Sequence, residues 1–255
     1  MNIIKRELED YRALLRSIPG LVISLFFISV IMMNLLANKE FVSWKYLALD
    51  CGFVLSWVSF LCMDMICKRF GGKAAAKISI LAMAINALVC LMLWLLMKTP
   101  GMWGEYYASG SMEVNQALNN TFGGAWYVVL GSSIAMVLAA LTNSAVNEAI
   151  ARRIKKGGYK EFAARSFVST MLGQFVDNFA FATIVSLHFF GWTWTQVLIC
   201  SLTGAVMELL CEIVFSPLGY RVSRNWEKDN VGAQYFRYRN VYQRAARIKA
   251  AGAAH

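Results

Sequence analysis

Gln174, Asp177 and Asn178 fall at i, i+3 and i+4 in Ser169-Thr170-Met171-Leu172-Gly173-Gln174-Phe175-Val176-Asp177-Asn178-Phe179-Ala180-Phe181, a segment otherwise apolar enough to cross a bilayer. That spacing puts the carboxylate and both amides on one helical face. A carboxylate near the middle of a membrane helix costs at least roughly 2.5 to 3.5 kcal/mol on insertion scales, so it persists where it faces a cavity, a partner or a substrate. The chemistry such a face offers is recognition of a planar, hydrogen-bonding heterocycle. A carboxylate accepts two parallel hydrogen bonds from an aminopyrimidine edge, an amide both donates and accepts, and aromatic rings stack on the faces. Phe175, Phe179, Phe181, Trp126 and Trp57 supply such rings.

Other apolar runs carry polar residues too: Asn34; Asp64 after Ser56 and Ser59; Asn143, Asn147 and Glu148; and Glu208 with Glu212 one turn on. So many suggest a shared polar cavity, and the candidate substrate-binding set is Asn34, Asp64, Asn143, Gln174, Asp177, Asn178, Glu208 and Glu212. Structural readings stand beside it. Asn34 fits a bond between helices, Lys68 and Arg152 are placed to pair with Asp64 and Glu148, and His188 fits an interfacial position. No Ser/His/Asp arrangement, H-E-x-x-H motif or phosphate loop is present, so no enzyme is expected. Cys51, Cys62, Cys67, Cys90, Cys200 and Cys211 lie in or beside apolar runs without a C-x-x-C pair, so neither a metal nor a cofactor is expected.

The elements that position these groups follow from composition. The 255 residues are 58% hydrophobic and 16% charged, with the apolar residues in long runs, which indicates lipid as solvent. The runs predict an all-α integral membrane protein with six spans of about 20 residues each, near 18–38, 47–66, 78–97, 125–149, 164–188 and 195–215. Every Lys and Arg except Lys39, Lys45 and Lys98 then falls on one side, which predicts both termini in the cytoplasm. The same rule accounts for the net charge of +10 without nucleic acid. No cleavable signal peptide is apparent.

The predicted organisation is an N-terminal segment 1–17, a transmembrane domain 18–220 and a basic cytoplasmic tail 221–255. Ile4, Leu8, Tyr11, Leu15 and Ile18 give the first segment an amphipathic helix, either lying on the inner leaflet or leading into span one, with Pro19-Gly20 as the turn. In the loop 98–124, Val114, Leu118 and Phe122 predict a short helix capped by Ser111, read as a lid or as an aromatic belt without function.

These residues resemble the queuosine precursor transporters, the vitamin-uptake-transporter-type (VUT) family, over most of residues 30–220. Ser169-Thr170-x-x-Gly173-Gln174-x-x-Asp177-x-x-Ala180-Phe181 is similar to the family's most specific signature. Asn34-x-x-Ala37-Asn38-Lys39, Phe60-x-x-x-Asp64 with Phe70-Gly71, Gly131-Ser132-x-x-Ala135 and Ser216-Pro217-x-x-Tyr220 resemble its other motifs. The resemblance implies a six-helix importer in a bacterial inner membrane. Its cargo would be 7-deazaguanine derivatives, 7-cyano-7-deazaguanine or 7-aminomethyl-7-deazaguanine, salvaged for queuosine in tRNA. Asn34, Gln174 and Asp177 would bind that cargo, and Asp64 would bind or couple. The chain departs from the family pattern at Trp57, at Ala140-x-x-Asn143, and at Lys68 and Glu208, where the sign of the charge is reversed.

Two further classes compete with a solitary, proton-coupled or facilitative transporter. One is the substrate-binding subunit of an energy-coupling-factor importer, a similar six-helix architecture that needs ATPase partners. Span one carries Leu25, Phe26, Phe27, Ile28 and Val30 in place of small residues spaced for docking, which argues against an ATPase module. The other is a membrane interaction protein whose polar groups only glue helices. The expected partners are a deazapurine-like small molecule and the lipid bilayer, with a homodimer left open.

Overall fold

The computed structural model describes residues 3–44, 47–153 and 159–241, with side chains left undescribed at some helical positions, Asn143 and Glu212 among them. The chain is mostly helical. Helices α1 (Ile3–Ser17) and α2 (Gly20–Leu36) lead into two antiparallel strands, β1 (Glu40–Trp44) and β2 (Leu47–Asp50). Then follow α3 (Phe53–Phe70), α4 (Gly72–Leu96), α5 (Gly104–Ser109), α6 (Met112–Gly123), α7 (Trp126–Arg153) and α8 (Tyr159–Phe181). A π-helical turn (Ala182–Ser186) and α9 (Leu187–Phe189) extend α8, and α10 (Trp194–Lys228) is the longest helix.

Among the described residues, three helical stretches are long and apolar enough to cross a membrane: Gly72–Leu96, Met112–Thr142 and Trp194–Phe215. A fourth is counted if Glu7–Ser17 and Gly20–Leu36, bent by 108° at their break, form one span. The outward faces fit lipid. Along α10, Leu198, Leu202, Val206, Leu210 and Val214 are exposed while Ser201, Ala205 and Glu208 are buried, the reverse of a water-soluble helix.

Two sequence expectations need revising. The second run was expected to be helical from 47; residues 47–50 form β2 instead, and α3 starts at Phe53. Its start is capped by Asp50, whose Oδ1 accepts a hydrogen bond from the Phe53 N–H at 2.9 Å. A Cβ at Gly52 would collide with the Met33 carbonyl, so the chain turns tightly there. The sixth predicted span, 195–215, coincides with the apolar stretch Trp194–Phe215, and the helix that carries it, α10, continues through Pro217 to Lys228. Two residues on, a Cβ at Gly219 would come within 2.9 Å of Leu61, so the glycine lets α10 approach α3 closely. The short helix in 98–124 exists as α6, with Ser111 at its N-cap but without a side-chain capping bond. It is held instead through Trp103, whose backbone N–H donates to Asn115 and whose ring N–H donates to Asn119, each at 2.8 Å.

The chain divides into two compact units. The first comprises Met1–Ile28, Val58–Ala82 and Phe215–His255. Its core includes Leu14, Ile18, Ile66, Phe70 and Ile78. Phe70 stacks on Phe236 at 5.8 Å between centroids and meets Trp226 and Tyr235 edge-on. Arg69 donates to the Val231 carbonyl at 2.9 Å and lies over the Phe236 ring. The chain turns back at Asn230 and Gly232, both at positive φ, and a Cβ at Gly232 would strike the Phe70 ring. Burial pushes the Tyr235 hydroxyl above its ordinary pKa, and the nearby charge of Asp10 acts in the same direction.

Helix α1 is tied into this unit by Lys77 of α4. Its Nζ donates to Glu7 at 2.6 Å and to Asp10 at 2.5 Å, and the Tyr11 hydroxyl donates to the Lys77 carbonyl at 3.3 Å. These ion pairs are partly exposed and each contributes modestly. Lys77→Met is expected to weaken the docking of α1 by about 1 kcal/mol, seen as faster tryptic cleavage at the exposed Arg12 and Arg16. Unchanged cleavage would show that apolar packing of Leu14 and Ile18 alone holds the helix.

The second unit comprises Ser29–Trp57 and Met83–Val214. One apolar cluster joins Ala37, Val128 and Val185, with Tyr127, Phe181, Ile184 and Phe190 packed around it. Another joins Cys90, Ala125, Val129 and Leu35. A Cβ at Gly131 would collide with Val185, so the Gly131/Ala135 motif serves close approach of α7 to the α8 extension.

Candidate functional site

The site is built in the second unit, on α8. Its register puts Gln174, Asp177 and Asn178 on one face, and Phe175 and Phe179 stack one turn apart beside them at 5.9 Å. Helix α10 supplies the opposite carboxylate. Glu208 is only 9% exposed, and its Oε2 accepts a hydrogen bond from Asn178 Nδ2 at 3.4 Å. Gly204, one turn before Glu208, makes this approach feasible, because a Cβ there would press within 3.2 Å of the Asn178 amide.

Asp177 and Asp50 are both within electrostatic reach of Glu208, so two carboxyls bear on it. Among the described residues, none of the charges bearing on Asp50, Asp177 or Glu208 is basic. No described side chain donates a hydrogen bond to Asp177. Gln174 Oε1 is buried without a hydrogen-bond partner among the described residues. The free groups on this wall are thus acceptors, and what they lack is a donor.

The remaining predicted residues divide. Asn34 is 5% exposed and its Nδ2 donates one hydrogen bond to the Val30 carbonyl of its own helix at 3.0 Å, leaving a second N–H and the amide oxygen. Asp64 belongs to the first unit and is half-buried on α3. Lys68 is within electrostatic reach of it but rests its ammonium over the Tyr220 ring at 5.1 Å. The side chains of Asn143 and Glu212 lie outside the described residues. Of the proposed stacking rings, Trp126 is half exposed and points away from the core, whereas Phe181 packs into it.

Three features escape the periodicity of the sequence. Asp50 looks like the start of a span and becomes a helix cap beside the acidic wall. The π-helical turn at Ala182–Ser186 interrupts a run that reads as one helix. There His188 Nδ1 lies 2.8 Å from the Thr183 carbonyl. Such turns recur at functional sites. Asn86, alone among apolar neighbours on α4, is 2% exposed and its Oδ1 has no hydrogen-bond partner among the described residues.

Lipid-compatible outer faces together with buried and half-buried carboxylates and amides on apolar helices fit a membrane protein with a polar functional site. Residues 50–222 match the family described as "Putative vitamin uptake transporter", and the chain belongs to that family of membrane transporters. No curated protein and no solved structure matches the chain.

Proposed function

We propose that the protein is a solitary importer of queuosine precursors, 7-deazaguanine derivatives such as 7-cyano-7-deazaguanine or 7-aminomethyl-7-deazaguanine, in a bacterial inner membrane. Six spans with both termini in the cytoplasm carry it. Asn34, Gln174, Asp177, Asn178 and Glu208 form the binding wall, with Asn143 and Glu212 joining on their sequence positions and Asp64 binding or coupling. The observation that carries this reading is that Asp177, to which no described side chain donates, shares one half-buried face with Gln174, whose Oε1 has no hydrogen-bond partner among the described residues.

A deazaguanine presents the ring N–H and the exocyclic amine side by side. One carboxylate accepts both in parallel, and an adjacent amide oxygen takes a further N–H. The ring face suits the stacked Phe175 and Phe179. Asp64, Asp177, Glu208 and Glu212 are the groups able to carry coupled protons.

Purified protein alone in proteoliposomes is the test. It is expected to take up 7-aminomethyl-7-deazaguanine without ATP or an added protein. Uptake only with an ATPase module and ATP would assign the chain to the energy-coupling-factor class, and no deazaguanine uptake in either setting would remove the substrate assignment.

A further inference from the structure

Helix α1 sorts its charges by face. Glu7, Asp10, Tyr11 and Leu14 share one arc, the arc that meets Lys77 and buries Leu14. Lys5, Arg12 and Arg16 fall opposite that arc, within about 40° of one another on a regular helix, and all three are exposed. Exposed Leu8 and half-buried Leu15 lie between the two arcs on one side, and half-buried Glu9 borders the bases on the other. Around the helix the order is therefore core, apolar edge, basic stripe. Glu7 and Asp10, the acids that would repel an anion, are bound by Lys77 on the inner face.

Helix α2 turns Leu21, Leu25 and Ile28 outward, as a helix in lipid does. Helix α1 leaves it at 108°, close to a right angle, so a spanning α2 lays α1 along the membrane surface. At that depth an apolar edge reaches the acyl boundary while the stems of Lys and Arg carry their charges to the headgroups. We propose that Lys5, Arg12 and Arg16 form a docking stripe for anionic phospholipid headgroups, with Leu8 seated at the edge of the hydrocarbon. The occupant follows from charge: three exposed bases bordered by one acid match a negatively charged surface, and a zwitterionic headgroup brings no net charge to meet them. The stripe rests on the proposed span through α2 and uses none of the residues assigned to the cargo.

The test places the full chain in nanodiscs of phosphatidylcholine alone or mixed with phosphatidylglycerol and follows amide hydrogen exchange in α1. Nanodiscs leave both membrane faces open, so the result does not depend on which side the termini occupy. Each base near an anionic surface contributes on the order of fivefold in binding, so exchange over Lys5–Arg16 is expected to slow at least about tenfold with phosphatidylglycerol. High salt is expected to reverse the slowing. The combined substitutions Lys5→Gln, Arg12→Gln and Arg16→Gln are expected to give one rate in both lipids. A wild type indifferent to phosphatidylglycerol, a variant that responds as wild type does, or slowing spread evenly over the whole chain would overturn the proposal. Should the triple variant not assemble, Arg12→Gln alone is compared, with a lipid response expected to be about fivefold smaller; an undiminished response would count against the stripe. Fast exchange over Leu21–Ile28 would remove the span, and with it the surface placement of α1.

Discussion

Asp177→Asn is expected to lower uptake of 7-aminomethyl-7-deazaguanine at least about 100-fold while leaving the amount of protein in the membrane at or above wild type. The first half follows from hydrogen-bond arithmetic. A bond to a charged group contributes about 1.5–3 kcal/mol, and a carboxylate gripping two N–H groups loses one acceptor and its charge when it becomes an amide. Each 1.4 kcal/mol is tenfold in affinity, and the amide also presents N–H against a donor edge. The second half rests on the proposed six-span topology, in which α8 crosses the membrane: a carboxylate inside a span costs roughly 2.5–3.5 kcal/mol on insertion, so its removal does not impair assembly. Transport assays with membrane quantification check both. Wild-type uptake by the variant would show that Asp177 does not touch the cargo, and a loss of uptake matched by a loss of protein would make it structural.

Phe70→Ala is expected to destabilise the first unit by about 3–5 kcal/mol, the usual range for emptying a fully packed aromatic site. Phe70 is 2% exposed and three rings converge on it. Gly232 is placed against it at a φ of 84° that other residues rarely adopt, so the cavity cannot close by a simple shift of that turn. The readouts are a lower melting temperature and tryptic cleavage at Arg237 and Arg239. An unchanged melting temperature and cleavage pattern would mean that the segment after α10 is held by other contacts. Retained ligand binding by the variant at low temperature would mark Phe70 as a packing residue only.

Much of the candidate site is legible because helical periodicity is a local property. The i, i+3, i+4 spacing of Gln174, Asp177 and Asn178 survives in α8, and Glu208 meets Asn178 from α10. The helix over Met112–Gly123 follows from Val114, Leu118 and Phe122 in the same way. The losses have a common cause: features decided by neighbours far along the chain leave no periodic trace. Asp50 sits in an apolar run, and its capping and acidic company arise only once the strands form. Lys77 reads as one more basic loop residue until α1 folds back to give it Glu7 and Asp10. Asn86 was within reach of reasoning, since one amide in an apolar helix needs a partner, but a single residue has no spacing to draw attention. Asn34 shows the converse, because a polar group that fits a bond between helices gives one of its two N–H groups to its own backbone.

Glu208 gains meaning from its surroundings. Next to Asp50 and Asp177, with no basic group among the described charges bearing on them, it makes the wall more acidic than Asp177 alone would. Such a wall favours a cargo that donates hydrogen bonds and carries positive charge. The most direct measurement is equilibrium binding of 7-aminomethyl-7-deazaguanine and 7-cyano-7-deazaguanine to purified wild type and Asp177→Asn. Saturable binding of the aminomethyl compound, tighter than that of the nitrile and lost in Asp177→Asn, is the predicted result. Equal binding by wild type and variant, or none by wild type, would contradict the assignment of this wall as a deazaguanine site.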